Sequence, residues 1–206
     1  FVLLTLVLVF MQGFIMFSDI GIIPSIIQSK RVNDPNFLDT AWTMQVIRGF
    51  ILWGVAIIGA YPYSVFYGEP LLATMIPIAG FSAVISGFNS TALATANRDI
   101  KLKNITILDI LAQAISLTVM IVWVYISPSV WGLVAGGLAN ALVKMVLTHL
   151  WISERRNRFH WEKEAASSLF KVGRWIFIST ALTFFAAQID RILLGYLMGT
   201  ATLGIY

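Results

Sequence analysis

The chain has 206 residues, of which 58% are hydrophobic and 12% are charged, and its formal net charge is +4. Soluble domains are about 45 to 50% apolar and about 25% charged, so the composition excludes an ordinary soluble domain and predicts an integral membrane protein. The apolar residues form long blocks, which favours transmembrane helices over a barrel of strands. The chain has no cysteine, which excludes disulfides, Cys-ligated zinc and a thiol nucleophile.

The apolar blocks have the length of membrane-spanning helices, because about 20 residues at a rise of about 1.5 Å cross the hydrocarbon core. Pro77 lies inside the third block and predicts a kink there, since proline removes a helix hydrogen bond. We predict an all-α, polytopic helix bundle with spans at residues 1–27, 41–61, 71–95, 105–126 and 133–151, and a sixth span starting near Trp175.

The basic residues are distributed unevenly between the connections. Apart from three inside the spans, every lysine and arginine lies in three alternate connections, at residues 28–40, 97–104 and 152–174. The other two connections, at residues 61–70 and 127–132, have none and are flanked by aromatic residues. The positive-inside rule predicts that the three basic connections are cytoplasmic and the other two lie outside.

Polar residues recur within the spans at intervals of three, four or seven residues, which places each set on one helix face. We expect these faces to pack inward, where they can form hydrogen bonds between helices. The rows are Thr5, Gln12 and Asp19; Ser82, Ser86 and Asn89; Asp109, Gln113 and Ser116; and Asn140, Lys144 and Thr148.

Charged residues inside spans are candidates for function. An ionised group in lipid costs about 2.5 to 3.5 kcal/mol, so such groups usually face protein, water or a charged substrate. Arg48, Lys144, Asp190 and Arg191 are therefore candidate substrate-binding residues of a cavity. The structural alternatives are an internal salt bridge for Arg191 and, for Lys144, extension of the side chain to the headgroups.

Asp19 and Asp109 lie near the predicted cytoplasmic ends of their spans. Either could couple transport to a proton or sodium gradient, or could be solvated or cap a helix. His149 and His160 are too far apart in sequence to indicate a metal site. We find no catalytic constellation and no phosphate-binding glycine loop, and we expect no cofactor and no metal.

Five stretches of the chain carry a family resemblance. They read FSDIGIIPSIIQSK, TAW at the opening of the second span, TALATANRDIKLKNITILDI, WGLVAGGLANALV and LFKVGRWIFISTALTFFAAQIDRILLGYLMGTATLGIY. In order and spacing they resemble the polysaccharide-transporter family of lipid-linked oligosaccharide flippases, of the O-antigen and exopolysaccharide type, in the same superfamily as the MATE exporters.

The resemblance implies a two-lobe, all-helical transporter of which this chain is about half. Residues 1–151 would be five helices of the N-terminal lobe without its first helix, and residues 152–172 a basic cytoplasmic linker. Residues 173–206 would be the first helix of the C-terminal lobe and the turn that follows it.

The implied function is movement of an undecaprenyl-pyrophosphate-linked oligosaccharide from the cytoplasmic to the outer face of the bacterial inner membrane, by alternating access and without enzymatic chemistry. Such a head group needs a polar, cationic cavity. We expect Arg191 to contact it and Lys144 to be dispensable. The expected partners are the lipid-linked glycan, membrane lipids and other polysaccharide-assembly proteins, with no nucleic acid.

Three alternatives stay open. A cation-coupled drug or small-molecule antiporter of the same superfamily would favour an acidic cavity. A membrane glycan polymerase or glycosyltransferase would need clustered acidic and histidine residues near an outer loop, where this chain has only Glu69. The third alternative is a structural membrane protein that transports nothing.

Overall fold

The computed structural model of the chain describes residues 22–153 and 155–198. For Phe177, Thr180, Ala181 and residues 184–198 it describes the helical backbone alone. All the regular structure of the described residues is helical, without a strand. The helices are α1 (Ile22–Gln28), α2 (Pro35–Tyr67), α3 (Leu71–Gly87), α4 (Ala92–Arg98), α5 (Leu102–Ile126), α6 (Trp131–Leu147), which continues into a π-helical turn (Thr148–Ile152), and α7 (Lys163–Met198).

Three stretches of the described chain are long and apolar enough to cross a membrane: Pro35–Tyr67, Leu102–Ile126 and Trp131–Ile152. The pair formed by α3 and α4 would be a fourth span, broken by a bend of 66°. The prediction of an all-α, polytopic membrane protein is confirmed.

Helix α2 is longer at both ends than the predicted span of residues 41–61. It begins at Pro35 because Asp34 caps it, with the carboxylate accepting a hydrogen bond of 3.0 Å from the backbone N–H of Asn36. It ends at Gly68, whose φ of 68° is the left-handed conformation that favours glycine at a helix end. The loop predicted at residues 28–40 is therefore helical from Pro35 onward, since hydropathy detects only the apolar part of a helix.

The third predicted span is broken, but not at Pro77, which lies within α3. The bend falls at residues 88–91, because side chains of α2 bind the backbone carbonyls that the end of the helix leaves free. Gln45 donates from Nε2 to the carbonyl of Ser86 at 3.2 Å, and Trp42 donates from Nε1 to a carbonyl of the break itself at 3.4 Å. The structure therefore adds a break stabilised by α2, and the kink at Pro77 itself stays a prediction.

Residues from the other side of the bundle bind the same break. The N–H of Ser90 donates to Thr148 Oγ1 at 3.3 Å, in the π-helical turn after α6. The hydroxyl of Ser90 donates to Asn157 Oδ1 at 2.9 Å, and Asn157 Nδ2 donates to Thr91 Oγ1 at 2.6 Å. The break is therefore fixed by hydrogen bonds from α2, from the end of α6 and from the segment before α7.

The helices pack in the order α5, α6, α3, α2, with the first part of α7 against α1 and α2. Two apolar clusters form the core, one toward each end of the bundle. The first contains Ala56, Ala60, Leu72, Met75, Ile76, Ala79 and Val134. The second contains Ile22, Ile26, Val32, Phe37, Ala41, Ala94, Ala165 and Leu169.

The three basic connections meet at one end of the bundle, here called the basic end. Arg31 Nη2 lies 2.8 Å from Glu162 Oε1, and Arg98 donates from Nη1 to the carbonyl of Ser29 at 3.0 Å. At the opposite end, here called the aromatic end, Val130 packs with the first apolar cluster. The predicted grouping of the connections is confirmed, and the cytoplasmic location of the basic end stays a prediction.

Two glycines let α2 and α3 approach each other closely. A Cβ atom added at Gly49 would lie 2.7 Å from the carbonyl oxygen of Ala83, and one added at Gly87 would lie 3.0 Å from the carbonyl oxygen of Gln45. Both obstacles are backbone atoms, which cannot rotate away as a side chain can. The crossing therefore requires residues without side chains at these two positions.

We predict that Gly49→Ala lowers the free energy of unfolding by about 1 to 3 kcal/mol, because the methyl group forces the two helices apart. The matched control is Gly54→Ala in the same helix, where an added Cβ meets no atom of the described chain within 4 Å. Thermal unfolding in detergent measures both variants. Equal stability of the two would contradict the close crossing.

The connection between α1 and α2 contains an ion-pair network. Arg31 binds Asp34 and, in the connection before α7, Glu162. Its hydrogen bond lowers the pKa of the Asp34 carboxyl, and the hydrogen bonds to Asp34 and Glu162 raise the pKa of Arg31. Because the pKa of Asp34 is lower in the folded protein, the network stabilises the fold above the ordinary pKa of aspartate and loses this effect as the pH falls through the folded value.

We expect Asp34→Asn, which keeps an acceptor for the helix cap, to unfold at a lower temperature than the wild type at about pH 7. The two unfolding temperatures should converge as the pH falls below the ordinary pKa of aspartate and through the lowered pKa of the folded protein, since the carboxyl of the wild type becomes protonated there. The control is Asp99→Asn, an exposed aspartate in another basic connection. A difference between wild type and Asp34→Asn that does not change with pH would refute the role of the charge.

Candidate functional site

The polar rows predicted on the fourth and fifth spans pack against each other as a ladder between α5 and α6. An ion pair and two hydrogen bonds follow one another along the antiparallel helices. These contacts are Asp109 to Lys144 Nζ at 2.6 Å, Asn140 Nδ2 to Gln113 Oε1 at 3.2 Å, and Ser116 Oγ to the carbonyl of Gly136 at 2.8 Å. The expectation that these faces form hydrogen bonds between helices is confirmed for this pair.

The ladder gives structural partners to two candidate site residues. The side chain of Asp109 is 48% exposed and that of Lys144 is 31% exposed, so the pair lies at the edge of the helix contact. Both residues lie toward the basic ends of their helices. The ion-coupling role of Asp109 and the substrate-binding role of Lys144 stay predictions.

Arg48 lies in a groove between α1, α2 and the first part of α7, here called the Arg48 groove. The cavity has a volume of about 460 Å³. Apolar side chains form its walls, and two guanidinium groups are its charged members. It is lined by Ile22, Met44, Ile47, Arg48, Ile51, Leu52, Trp161, Leu169, Phe170, Gly173 and Arg174.

Arg48 is half-buried and lies about 20 Å along α2 from Pro35 by helix rise. A guanidinium group presents a planar set of donors that matches a phosphate or carboxylate with two hydrogen bonds. The groove therefore has the chemistry to hold an anionic group attached to an apolar chain.

The second cation of the groove, Arg174, was assigned from sequence only to a basic connection. The helix predicted to start near Trp175 begins instead at Lys163, so Arg174 lies on α7 and lines the groove. Its guanidinium carbon lies 5.6 Å from the centre of the Trp175 ring. The helical spacing of buried Ala165, Ala166, Leu169 and Gly173 is the signal that would have revealed the earlier start.

The remaining candidate residues are less fully described. Asp190 and Arg191 belong to α7, but their side chains lie outside the described part, and Asp19 lies outside the described residues altogether. The positions of these three side chains relative to the Arg48 groove are therefore outside what the structure describes. In the described ranges, no three His, Asp or Glu side chains form a group that could hold a metal ion.

We predict that removing one member of the Asp109–Lys144 pair costs more than removing both. Lys144→Met leaves a carboxylate without its counter-charge and should lower stability by about 1 kcal/mol, given the partial exposure of the pair. Asp109→Leu combined with Lys144→Met should recover part of that loss. Thermal unfolding of both variants tests this, and a double variant less stable than the single one would show that the pair does not act as a unit.

Comparison with known proteins identifies the family of the chain. A family model described as "Polysaccharide biosynthesis protein" matches residues 1–206, the whole chain. No curated protein and no solved structure matches the chain. The family and the apolar helices agree with a membrane protein that has a role in polysaccharide biosynthesis. The chain belongs to this polysaccharide biosynthesis protein family.

Proposed function

We propose that the protein moves a lipid-linked oligosaccharide across the membrane and is a transporter rather than an enzyme. The cargo would be an undecaprenyl-pyrophosphate type of glycan, carried from the cytoplasmic to the outer face of the bacterial inner membrane. The family supports the link to polysaccharide biosynthesis, and the apolar helices support a site within a membrane. A polytopic helix bundle is an architecture that suits the transport step of such a synthesis.

The Arg48 groove is the observation that carries this proposal. Its apolar walls suit an isoprenoid chain, and Arg48 and Arg174 suit the pyrophosphate attached to that chain. A cationic drug would be repelled by the same two residues, which disfavours a drug antiporter. A groove with this mixture of groups fits an anionic lipid better than it fits a soluble substrate.

Alternating access supplies the mechanism. In transporters, discontinuous helices typically form binding sites, and access alternates as one lobe moves against the other. The break between α3 and α4 is a discontinuity of this kind at the basic end. In the proposed cycle the phosphate binds from the basic, cytoplasmic end, and movement of the lobes then opens the site to the aromatic end.

We also propose roles in transport for the charged residues of α7. Arg191 would contact the anionic head group deeper in the membrane, and Asp190, Asp109 or Asp19 would couple the cycle to a cation gradient. Lys144 already has Asp109 as a counter-charge, which supports the expectation that it is dispensable for transport. Other polysaccharide-assembly proteins would deliver and consume the glycan.

We expect Arg48→Ala to reduce transport by about 10- to 100-fold, because a hydrogen bond to a charged group contributes about 1.5 to 3 kcal/mol. Arg48→Lys should retain part of the activity, since it keeps the charge and loses the planar donors. The measurement is the fraction of undecaprenyl-linked glycan on each leaflet in cells depleted of the protein and supplied with each variant of the intact protein. Lys103→Ala, an exposed cation at the same end, is the control.

Arg191→Ala should also reduce transport at matched expression, whereas Lys144→Met should leave it nearly unchanged. Normal leaflet distribution in depleted cells would overturn the flippase proposal. If those cells also became sensitive to cationic drugs, an antiporter would replace it, and the aspartates would be the residues to test.

A further inference from the structure

The segment between the π-helical turn and α7 lies across the first turns of α2. We call residues 155–162 the strap. Its backbone N–H groups at alternate residues donate to side chains of α2, with lengths between 3.1 and 3.2 Å. The bonds run from Arg158 to Asp39 Oδ1, from His160 to Thr43 Oγ1 and from Glu162 to Thr40 Oγ1. The strap is therefore a fixed part of the basic end.

The strap and the start of α2 enclose a second cavity, here called the strap pocket, with a volume of about 630 Å³. It is separate from the Arg48 groove and has a polar and cationic lining. Besides the aromatic ring of Phe159, the lining consists of Asn36, Asp39, Arg155, Arg156, Arg158 and His160.

The charges of the strap pocket do not cancel. Asp39 is buried and pairs with Arg155, whose Nη2 lies 2.5 Å from Asp39 Oδ2. Within the described residues, neither Arg156 nor Arg158 forms an ion pair, and both are exposed. The pocket therefore presents two guanidinium groups beyond those needed to balance its carboxylate, and guanidinium groups are suited to binding phosphate.

The strap connects this pocket to an apolar surface. His160 lines the strap pocket, and the next residue, Trp161, lines the Arg48 groove. Phe159 and Trp161 are exposed, at 67% and 54%. Aromatic residues between cations are typical of a segment at the boundary between headgroups and acyl chains. A ligand that spans both surfaces needs an anionic head and an apolar chain.

We propose that the strap pocket binds the phosphate of a membrane lipid at the basic end of the protein, through Arg156 and Arg158. The phosphate could belong to an anionic phospholipid of the bilayer or to the polyprenyl carrier lipid, since both offer the same group. This site differs from the Arg48 groove in its residues and its position, and the proposal does not depend on which cargo is transported.

The test is binding of defined lipids to the intact, delipidated protein in detergent, measured by native mass spectrometry. The probes are phosphatidylglycerol, undecaprenyl phosphate and the zwitterionic phosphatidylcholine. We expect Arg156→Ala combined with Arg158→Ala to weaken binding of at least one anionic probe by about 10- to 30-fold, since each arginine near a membrane surface contributes about 1 kcal/mol. Binding of phosphatidylcholine should not change.

The matched control is Lys101→Ala combined with Lys103→Ala, which removes the same charge from another connection at the basic end. Loss of phosphatidylglycerol binding alone would identify a bilayer lipid, and loss of undecaprenyl phosphate alone would identify the carrier. Equal weakening by the lysine and arginine variants would overturn the proposal, because it would show a general charge effect. Unchanged binding of both anionic probes to the arginine variant would also overturn it.

A second variant tests whether the loss of lipid binding results from a change in fold. Arg156→Lys combined with Arg158→Lys keeps the charge, and it should bind the anionic probe more tightly than the alanine variant. The thermal unfolding temperature of each variant, measured without added lipid, should match that of the wild type, because both arginines are exposed. Because the assay measures lipid binding and not transport, its outcome is independent of the leaflet assay for the Arg48 groove.

Discussion

The break between α3 and α4 is the constraint on which the basic end of the structure depends. A helix that stops within or near a membrane leaves carbonyl and N–H groups that need partners, since lipid supplies none. Here Gln45 and Trp42 of α2 supply donors to the carbonyls, and Asn157 and Thr148 bind Ser90 on the other side. The same hydrogen bonds therefore fix the position of α2, the end of α6 and the segment that leads to α7.

The position of α2 in turn determines which side chains line the Arg48 groove. Its close crossing with α3, which Gly49 makes possible, leaves the opposite side of α2 free to line the groove with Arg48. The strap then joins the start of α2 to the start of α7 and brings Arg174 into the same groove. Two cavities with different chemistry result, one cationic at the basic end and one largely apolar beside it. Together they suit an amphiphile with an anionic head.

Ion pairs join separate segments of the bundle. Asp109 with Lys144 and Asp39 with Arg155 are paired, and each pair joins two segments of the chain. Such pairs hold the helices in one arrangement, although their net contribution to stability is modest where they are exposed. Among the cations that line the two cavities, Arg48 lies between apolar walls and Arg156 is exposed. In both of our proposals these cations bind the phosphate of a lipid.

The sequence by itself determined the membrane class, the all-helical fold, the grouping of the basic connections and the polar faces that form the ladder between α5 and α6. These follow from composition and from spacing along one helix, which are local properties. The tertiary structure alone decided that the third span breaks after Gly87 and not at Pro77, because the partners of the break come from distant segments. It also decided that Arg174 lines the same groove as Arg48, since that depends on the packing of α7 against α1 and α2. Hydropathy measures transfer into lipid and carries no information about such contacts between distant residues.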